Sequence, residues 1–147
     1  MNIIFICHGN ICRSPIGAIL LNKLIKENHE ENHFNVFSRA TSMEEIGNDI
    51  YPPMKRVLYA HKVEFDRHYA TRITQEEFVN ADYIFYMDSN NLYYLRRMFG
   101  NSSKFHLISE FDDNREVEDP WYTGRFELVF NSIEKYVQSI YKKVANE

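Results

Sequence analysis

The sequence predicts an α/β fold, with a mostly parallel sheet covered by helices on both faces, and three observations carry that reading. Short apolar, β-branched runs alternate with stretches of helical periodicity. The first run, Asn2–Ile6, passes directly into the tight turn CHGNICRSP, residues 7–15. No repeat, low-complexity tract or Pro/Gly/Ser-rich linker interrupts the 147 residues, a length that fits one domain, 1–147, with a real core.

The elements follow in order. Asn2–Ile6 reads as a short buried strand. Pro15 suits a helix's first turn, where its missing N–H would have no partner anyway. Ile16, Ile19, Leu20, Lys23 and Leu24 then continue at helical spacing to about Glu27. Phe34–Ser38 is a second strand, and Ala40–Tyr51 is loop-like, with Gly47 and Asn48. Pro52-Pro53 opens a helix carrying Met54, Val57 and Leu58. Thr74-Gln75-Glu76-Glu77 has the Ser/Thr-x-x-Glu form of a capping box, which predicts a short helix. Tyr83–Met87 is the third strand, Ser89–Phe99 a helix stopped by Gly100, and Phe105–Ile108 a fourth strand. From Phe126, apolar residues through Val129, Phe130, Ile133, Val137, Ile140, Tyr141 and Val144 mark a long amphipathic helix. In such sheets ligands bind beyond the carboxyl ends of the strands, where the 7–15 turn lies.

Composition narrows the function. A hydrophobic share of 44% and an aromatic share of 15% exclude a disordered chain. The apolar runs are too short to span a bilayer, and Met1–Ile6 lacks the cationic start and apolar stretch of a signal peptide, so a cytoplasmic protein off the membrane is expected. A net charge of −4 argues against a nucleic-acid partner, and any anion must be held locally. The two cysteines, Cys7 and Cys12, cannot build a disulfide framework and both lie in the opening turn, which points to chemistry.

A strand-to-helix turn aims successive backbone N–H groups inward and adds the partial positive charge of the helix start, a ready anion site. Gly9 permits backbone angles that other residues resist. Arg13 supplies a planar fork for two phosphate oxygens. Cys7 sits at the base of this concavity, where a helix N-terminus and an arginine favour the thiolate, poised to attack phosphorus. Ser14 can hydrogen-bond that sulfur, and Asn10 can brace the loop from within. A merely buried cysteine would leave Gly9 and Arg13 unexplained. A zinc site of Cys7, His8 and Cys12 lacks a fourth ligand. A Walker loop is excluded because Gly-Lys-Ser/Thr is absent. Attack at phosphorus also needs a general acid on the opposite side. Asp119-Pro120-Trp121-Tyr122 offers one, with proline stiffening the loop and two aromatics forming a wall. Glu116, Glu118 and the thiolate are expected to favour the protonated form of Asp119 by like-charge repulsion, giving a bell-shaped, mildly acidic pH profile.

Cys7-x5-Arg13-Ser14 is the signature shared by protein tyrosine phosphatases, and CHGNICRSP resembles the low-molecular-weight protein tyrosine phosphatases specifically. The resemblance implies a three-layer fold, a four-stranded parallel sheet flanked by helices on both faces. It implies hydrolysis of protein phosphotyrosine and aryl phosphates through a cysteinyl-phosphate, with Cys7 as nucleophile, Arg13 gripping phosphate and Asp119 as acid, without cofactor or metal. His8, Gly9, Asn10, Ile11, Cys12 and Ser14 would line a loop that also takes phosphate, sulfate or vanadate, and the protein would be a monomer. Ser38-Arg39-Ala40-Thr41-Ser42 resembles the family's Ser-Ala-Gly/Ala-Thr-Ser, with Ser38 bonding Asn10; Glu45-Ile46-Gly47-Asn48 continues the match. His68 falls where a family histidine touches the loop asparagine, and Asp88 ends a matching strand as a brace. Cys12 corresponds to a second loop cysteine that can pair with the nucleophile under oxidation. Departures are Ile16-Gly17-Ala18 for Met-Ala-Glu, Arg39 for a small residue, Thr71-Arg72 with its arginine one position late, and Glu44 for an aromatic opposite Trp121 and Tyr122. Gly17 is expected to soften the first helix by about 1 kcal/mol relative to alanine. The alternatives are an arsenate reductase-like enzyme, which needs further resolving cysteines; a phosphocysteine carrier, which would not need Arg13 and Asp119; and a non-catalytic phosphate-binding or redox-sensing module.

Overall fold

The computed structural model describes residues 1–147 as four strands and six helices: β1 (Asn2–Cys7), α1 (Arg13–Glu27), β2 (Asn35–Ala40), α2 (Pro52–Ala60), α3 (Gln75–Asn80), β3 (Tyr83–Tyr86), α4 (Ser89–Phe99), β4 (Phe105–Leu107), α5 (Pro120–Thr123) and α6 (Phe126–Val144). All strand pairs are parallel, in the order β2-β1-β3-β4. From Ile3 to Cys7 β1 is apolar and buried because both of its faces are covered. Ile3, Phe5 and Cys7 pack with α1, α2 and α6 in the larger core. Ile4 and Ile6 face the other way, with Ile84, Leu95 and the α3–α4 side chains Phe78 and Phe99. The α/β architecture read from the sequence therefore holds, as does the count of four parallel strands.

Several boundaries differ for local reasons. β2 runs on to Ala40 because its parallel register with β1 continues to the Cys7–Ala40 pair. α1 begins at Arg13, which puts Pro15 in its first turn as expected; the first-turn N–H groups have no helical partner, so a proline there costs nothing. The capping box at Thr74 is complete: its hydroxyl accepts from the Glu77 N–H at 3.2 Å, and the Glu77 carboxylate accepts from the Thr74 N–H at 3.0 Å. α5 has no counterpart in the sequence reading.

Gly17 has a packing reason. A Cβ there would lie 2.6 Å from Cδ1 of the fully buried Phe5 and 2.9 Å from its Cγ. The glycine lets α1 lie close against β1, replacing the expectation of a soft helix with one of close approach. Crossing to β2 on one side and to β3 on the other leaves a crevice at the carboxyl end of β1, the place where open parallel sheets bind ligands. No helix is long and apolar enough to cross a membrane.

Candidate active site

Cys7 ends β1 and Arg13 begins α1, so residues 8–12 form a five-residue arch over the crevice. The backbone N–H groups of Asn10 and Ser14 point at Cys7 Sγ from 3.3 and 3.4 Å. Ser14 Oγ lies 3.0 Å from the same sulfur. Asn10 Nδ2 donates to Ser14 Oγ at 2.7 Å and to Ser38 Oγ at 2.9 Å. The Ser14 oxygen accepts from the amide and keeps its own proton free to be given to a sulfur anion. Three donors converge on a buried sulfur, an arrangement suited to a sulfur anion.

Asn10, rather than Gly9, takes the left-handed conformation, with φ of 61°. Asparagine tolerates that region, and here its side chain has the loop's three bonds to make. Gly9 is needed for space instead: a Cβ would approach the Glu45 Cγ to 3.2 Å. Asn10 Oδ1 accepts from the Thr71 N–H at 3.1 Å, and its backbone carbonyl lies 2.6 Å from His68 Nε2. A carbonyl only accepts, so Nε2 carries the proton. Burial pushes the His68 pKa below the ordinary histidine value despite that hydrogen bond, so the ring is neutral near pH 7. The His68 N–H is anchored in turn on Asp49 Oδ1 at 3.0 Å. Burial opposes the charge on Asp49, but bonds from Lys55, His68, Ile50 and Arg67 outweigh it and hold the carboxyl well below the usual range.

Arg13 is 2% exposed. Its Nη1 donates to Asp88 Oδ2 at 2.6 Å and to the Val117 carbonyl at 2.8 Å. Burial disfavours its charge, yet Cys7 and Asp88 together hold the guanidinium above its ordinary value. Nε and Nη2 make no hydrogen bond within the protein, so one edge of the fork faces the crevice. Asp88 also caps α4, accepting from the Asn91 N–H at 2.9 Å, while Asn91 Oδ1 accepts from the Asp88 N–H at 3.2 Å. Asp119 Oδ2 stands 3.5 Å from Arg13 Nη2, and its Oδ1 caps α5 by accepting from the Trp121 N–H at 3.0 Å.

Cys7, Arg13, Asp119 and the loop residues His8, Gly9, Ile11 and Cys12 line one cleft of about 130 Å³, together with Glu44, Glu45, Trp121 and Tyr122, while Asn10 and Ser14 lie buried behind it. That is small beside the roughly 300–1,000 Å³ of drug-sized ligand sites, and suits a phosphoryl group with one planar substituent. His8 Nε2 and Glu44 Oε2 pair at 3.0 Å on the rim. Glu116 and Glu118, expected to crowd Asp119, each have a partner of their own. Glu118 is engaged by Arg125, Glu116 accepts from the Ser89 N–H at 2.5 Å, and Asp119 itself pairs with the Arg13 cation. Cys12 is a free thiol on the same cleft; burial, then Cys7 and Asp119, push its pKa above the ordinary thiol range.

Sequence reasoning missed four contributors. Glu45 lines the cleft. Tyr51 packs its ring 4.8 Å from Trp121 and donates its N–H to the Ile11 carbonyl at 2.9 Å. Asn91 orients Asp88, and Val117 acts through a backbone carbonyl that no side-chain pattern announces. A signal existed for Tyr51, since the residue before Pro52-Pro53 is held extended and caps a helix.

A model of the family described as low molecular weight phosphotyrosine protein phosphatase matches residues 2–147. The chain is 33% identical to the low molecular weight phosphotyrosine protein phosphatase of Gallus gallus, over 97% of this chain and 94% of that protein. Its backbone matches the crystal structure of YfkJ from Bacillus subtilis with a TM-score of 0.94 at 27% identity, covering 99% and 95% of the two chains. It matches the low molecular weight protein tyrosine phosphatase of Streptococcus pyogenes with a TM-score of 0.87 at 31% identity, covering 97% and 91%.

Proposed function

Because the chain belongs to the low molecular weight phosphotyrosine protein phosphatase family, we propose that it hydrolyses protein phosphotyrosine in two steps through a cysteinyl-phosphate. Phosphate enters the arch, where backbone N–H groups and the free edge of Arg13 hold its non-bridging oxygens. Cys7 Sγ attacks phosphorus. As the P–O bond breaks, the Asp119 carboxyl gives its proton to the departing phenolic oxygen. Asp119, now a carboxylate, takes a proton from water as that water attacks the cysteinyl-phosphate, releasing inorganic phosphate and restoring both groups. Donors fixed before charge develops carry much of the acceleration. Trp121 and Tyr122 flank the substrate ring. Inorganic phosphate, sulfate and vanadate would occupy the same arch and compete. Cys12 would serve as the thiol that closes a disulfide on oxidised Cys7.

The observation that carries this reading is the convergence of the Asn10 and Ser14 N–H groups and Ser14 Oγ on Cys7 Sγ, with Arg13 pinned beside it. Asp119 in the same cleft favours a catalyst over a binding module. The test is pre-steady-state release of aryl alcohol from an aryl phosphate. A burst of one equivalent, lost in Cys7→Ser, is expected, and vanadate should suppress turnover. Phosphate release by Cys7→Ser at the parental rate, or full turnover of Asp119→Asn on phenyl phosphate, would overturn the scheme.

A further inference from the structure

Asp119 differs from Cys7 and Arg13, which stand at the ends of β1 and α1. It caps α5, a helix of only four residues, and a helix so short does not stand by itself in water. Its own contacts are the Trp121 N–H at 3.0 Å and Arg13 Nη2 at 3.5 Å. The Arg13–Val117 bond and the Tyr51–Trp121 ring contact reach the turn from the cleft side, and a further pair ties it downstream.

The two ends of that turn meet. Arg125 Nε and Nη2 each donate to one oxygen of the Glu118 carboxylate, both at 2.8 Å, in a parallel fork. This is the bidentate arrangement that gives an arginine–carboxylate pair direction as well as attraction. Glu118 is the residue immediately before Asp119, and Arg125 immediately precedes α6, whose buried face belongs to the main core. Gly124 turns the chain in the left-handed region with φ of 73°, bringing Arg125 back toward Glu118. Thr123 and Arg125 also hold the Glu118 carboxyl below its ordinary value. The fork therefore ties the backbone beside the acid to the first residues of a rigid helix, across a turn with little structure of its own.

We infer that Arg125 and Glu118 form a clasp that positions Asp119 for proton delivery, making both of them positioning residues of the reaction. The inference rests on the assignment of Asp119 as general acid. Exposed ion pairs add little to global stability, so the clasp is to be read out in the proton-transfer step and not in unfolding. Breaking it lets the carboxyl drift, and the loss falls on substrates whose leaving oxygen needs the proton.

The test is kcat/KM across aryl phosphates graded from p-nitrophenyl to phenyl phosphate, for the parent, Arg125→Ala, Glu118→Gln and Arg125→Lys. A misplacement near 1 Å can cost as much as ~10²-fold and general acid catalysis contributes about 10²–10⁴-fold, so Arg125→Ala and Glu118→Gln should lose about tenfold on phenyl phosphate and less than about threefold on p-nitrophenyl phosphate. Arg125→Lys, which keeps the charge without the fork, should fall between, and the exchange Glu118→Arg with Arg125→Glu should recover part of the loss. In an Asp119→Asn background, Arg125→Ala should add nothing, because the group it positions is gone. Equal losses on both substrates, or an undiminished effect in the Asp119→Asn background, would overturn the clasp. Failure of the underlying reading is distinguishable: it would appear in the Asp119→Asn single variant, as full turnover of phenyl phosphate.

Discussion

Gly17→Ala sets two effects of opposite sign against each other. Helix propensity favours alanine over an interior glycine by about 1 kcal/mol, so on α1 alone the variant should be more stable. Packing opposes it. The added methyl would lie 2.6, 2.9 and 3.1 Å from Cδ1, Cγ and Cε1 of Phe5. Phe5 is fully buried and stacks on Phe85 at 5.6 Å, so its ring has nowhere to turn. Relief requires α1 to move off β1, and overpacking of this kind costs about 1–3 kcal/mol. The net expectation is a loss of up to about 2 kcal/mol. Because a loss of 1 kcal/mol shifts Tm by roughly 2–4 °C in a domain near 150 residues, the melting point should fall by at most about 8 °C. Arg13 and Ser14 are the first residues of α1, so kcat should fall along with Tm. Urea unfolding and an aryl phosphate assay on the purified variant measure both. Phe5→Leu makes room for the methyl, and the double variant should show a favourable coupling of at least about 1 kcal/mol in the cycle. A Gly17→Ala protein more stable than the parent, or a cycle additive within about 0.5 kcal/mol, would refute the packing argument.

Three more outcomes follow from the site. Asp88→Asn leaves the buried Arg13 without its charged partner and weakens the α4 cap, so kcat/KM should fall by about 10–100-fold with a stability loss of about 1–3 kcal/mol, read by steady-state kinetics and thermal melting; unaltered kinetics would remove Asp88 from the account. His68 is neutral when folded and binds a proton near pH 6.5 when unfolded, so its contribution is present above that pH and is lost as pH falls toward the lower folded value. The stability gap between the parent and His68→Gln should therefore narrow between pH 7.5 and 5, by at most about 1.4 kcal/mol per pH unit, and a pH-independent gap in urea midpoints would contradict it. Cys12→Ser should keep turnover, yet after peroxide a reductant should recover less activity than in the parent; equal recovery would deny Cys12 a protective role.

How much of this was legible in the sequence depended on how far each cause reaches along the chain. The capping box at Thr74 is decided within four residues, and it was readable. β1 was readable as a buried strand, because a strand covered on both faces needs no alternation, but the same uniformity hid which of Ile3, Ile4, Phe5 and Ile6 faces which layer. Gly9 and Asn10 show a finer failure. The left-handed residue was expected at glycine, yet asparagine takes it, because Ser14, Ser38 and Thr71 all bond its side chain there. Glu116 and Glu118 looked like two charges crowding Asp119. Each has its own partner, Ser89 and Arg125, and a string of residues does not display such pairings. α5 was invisible for a different reason: four residues carry no periodicity, and the helix exists through the Asp119 cap and the turn at Gly124.

The Arg13–Val117 bond matters for more than its own energy. One guanidinium nitrogen is shared between Asp88, at the carboxyl end of the β3 segment, and a carbonyl two residues before Asp119. The Val117 N–H in turn donates to the Met87 carbonyl at 2.8 Å, beside Asp88. Val117 is therefore fixed at both its backbone groups, by Arg13 itself and by Met87, the neighbour of Asp88. With the Glu118–Arg125 pair, the backbone leading to Asp119 is held on one side by Arg13 and on the other by α6. On the proposed mechanism, placement of phosphorus and placement of the proton donor would then be set by one shared set of bonds, and a motif of nine residues near the start of the chain would act with a carboxyl more than one hundred residues later. The Cys-x5-Arg signature would state which groups meet the phosphate; the two hydrogen bonds on Arg13 Nη1 would state how Asp119 is kept in register with them.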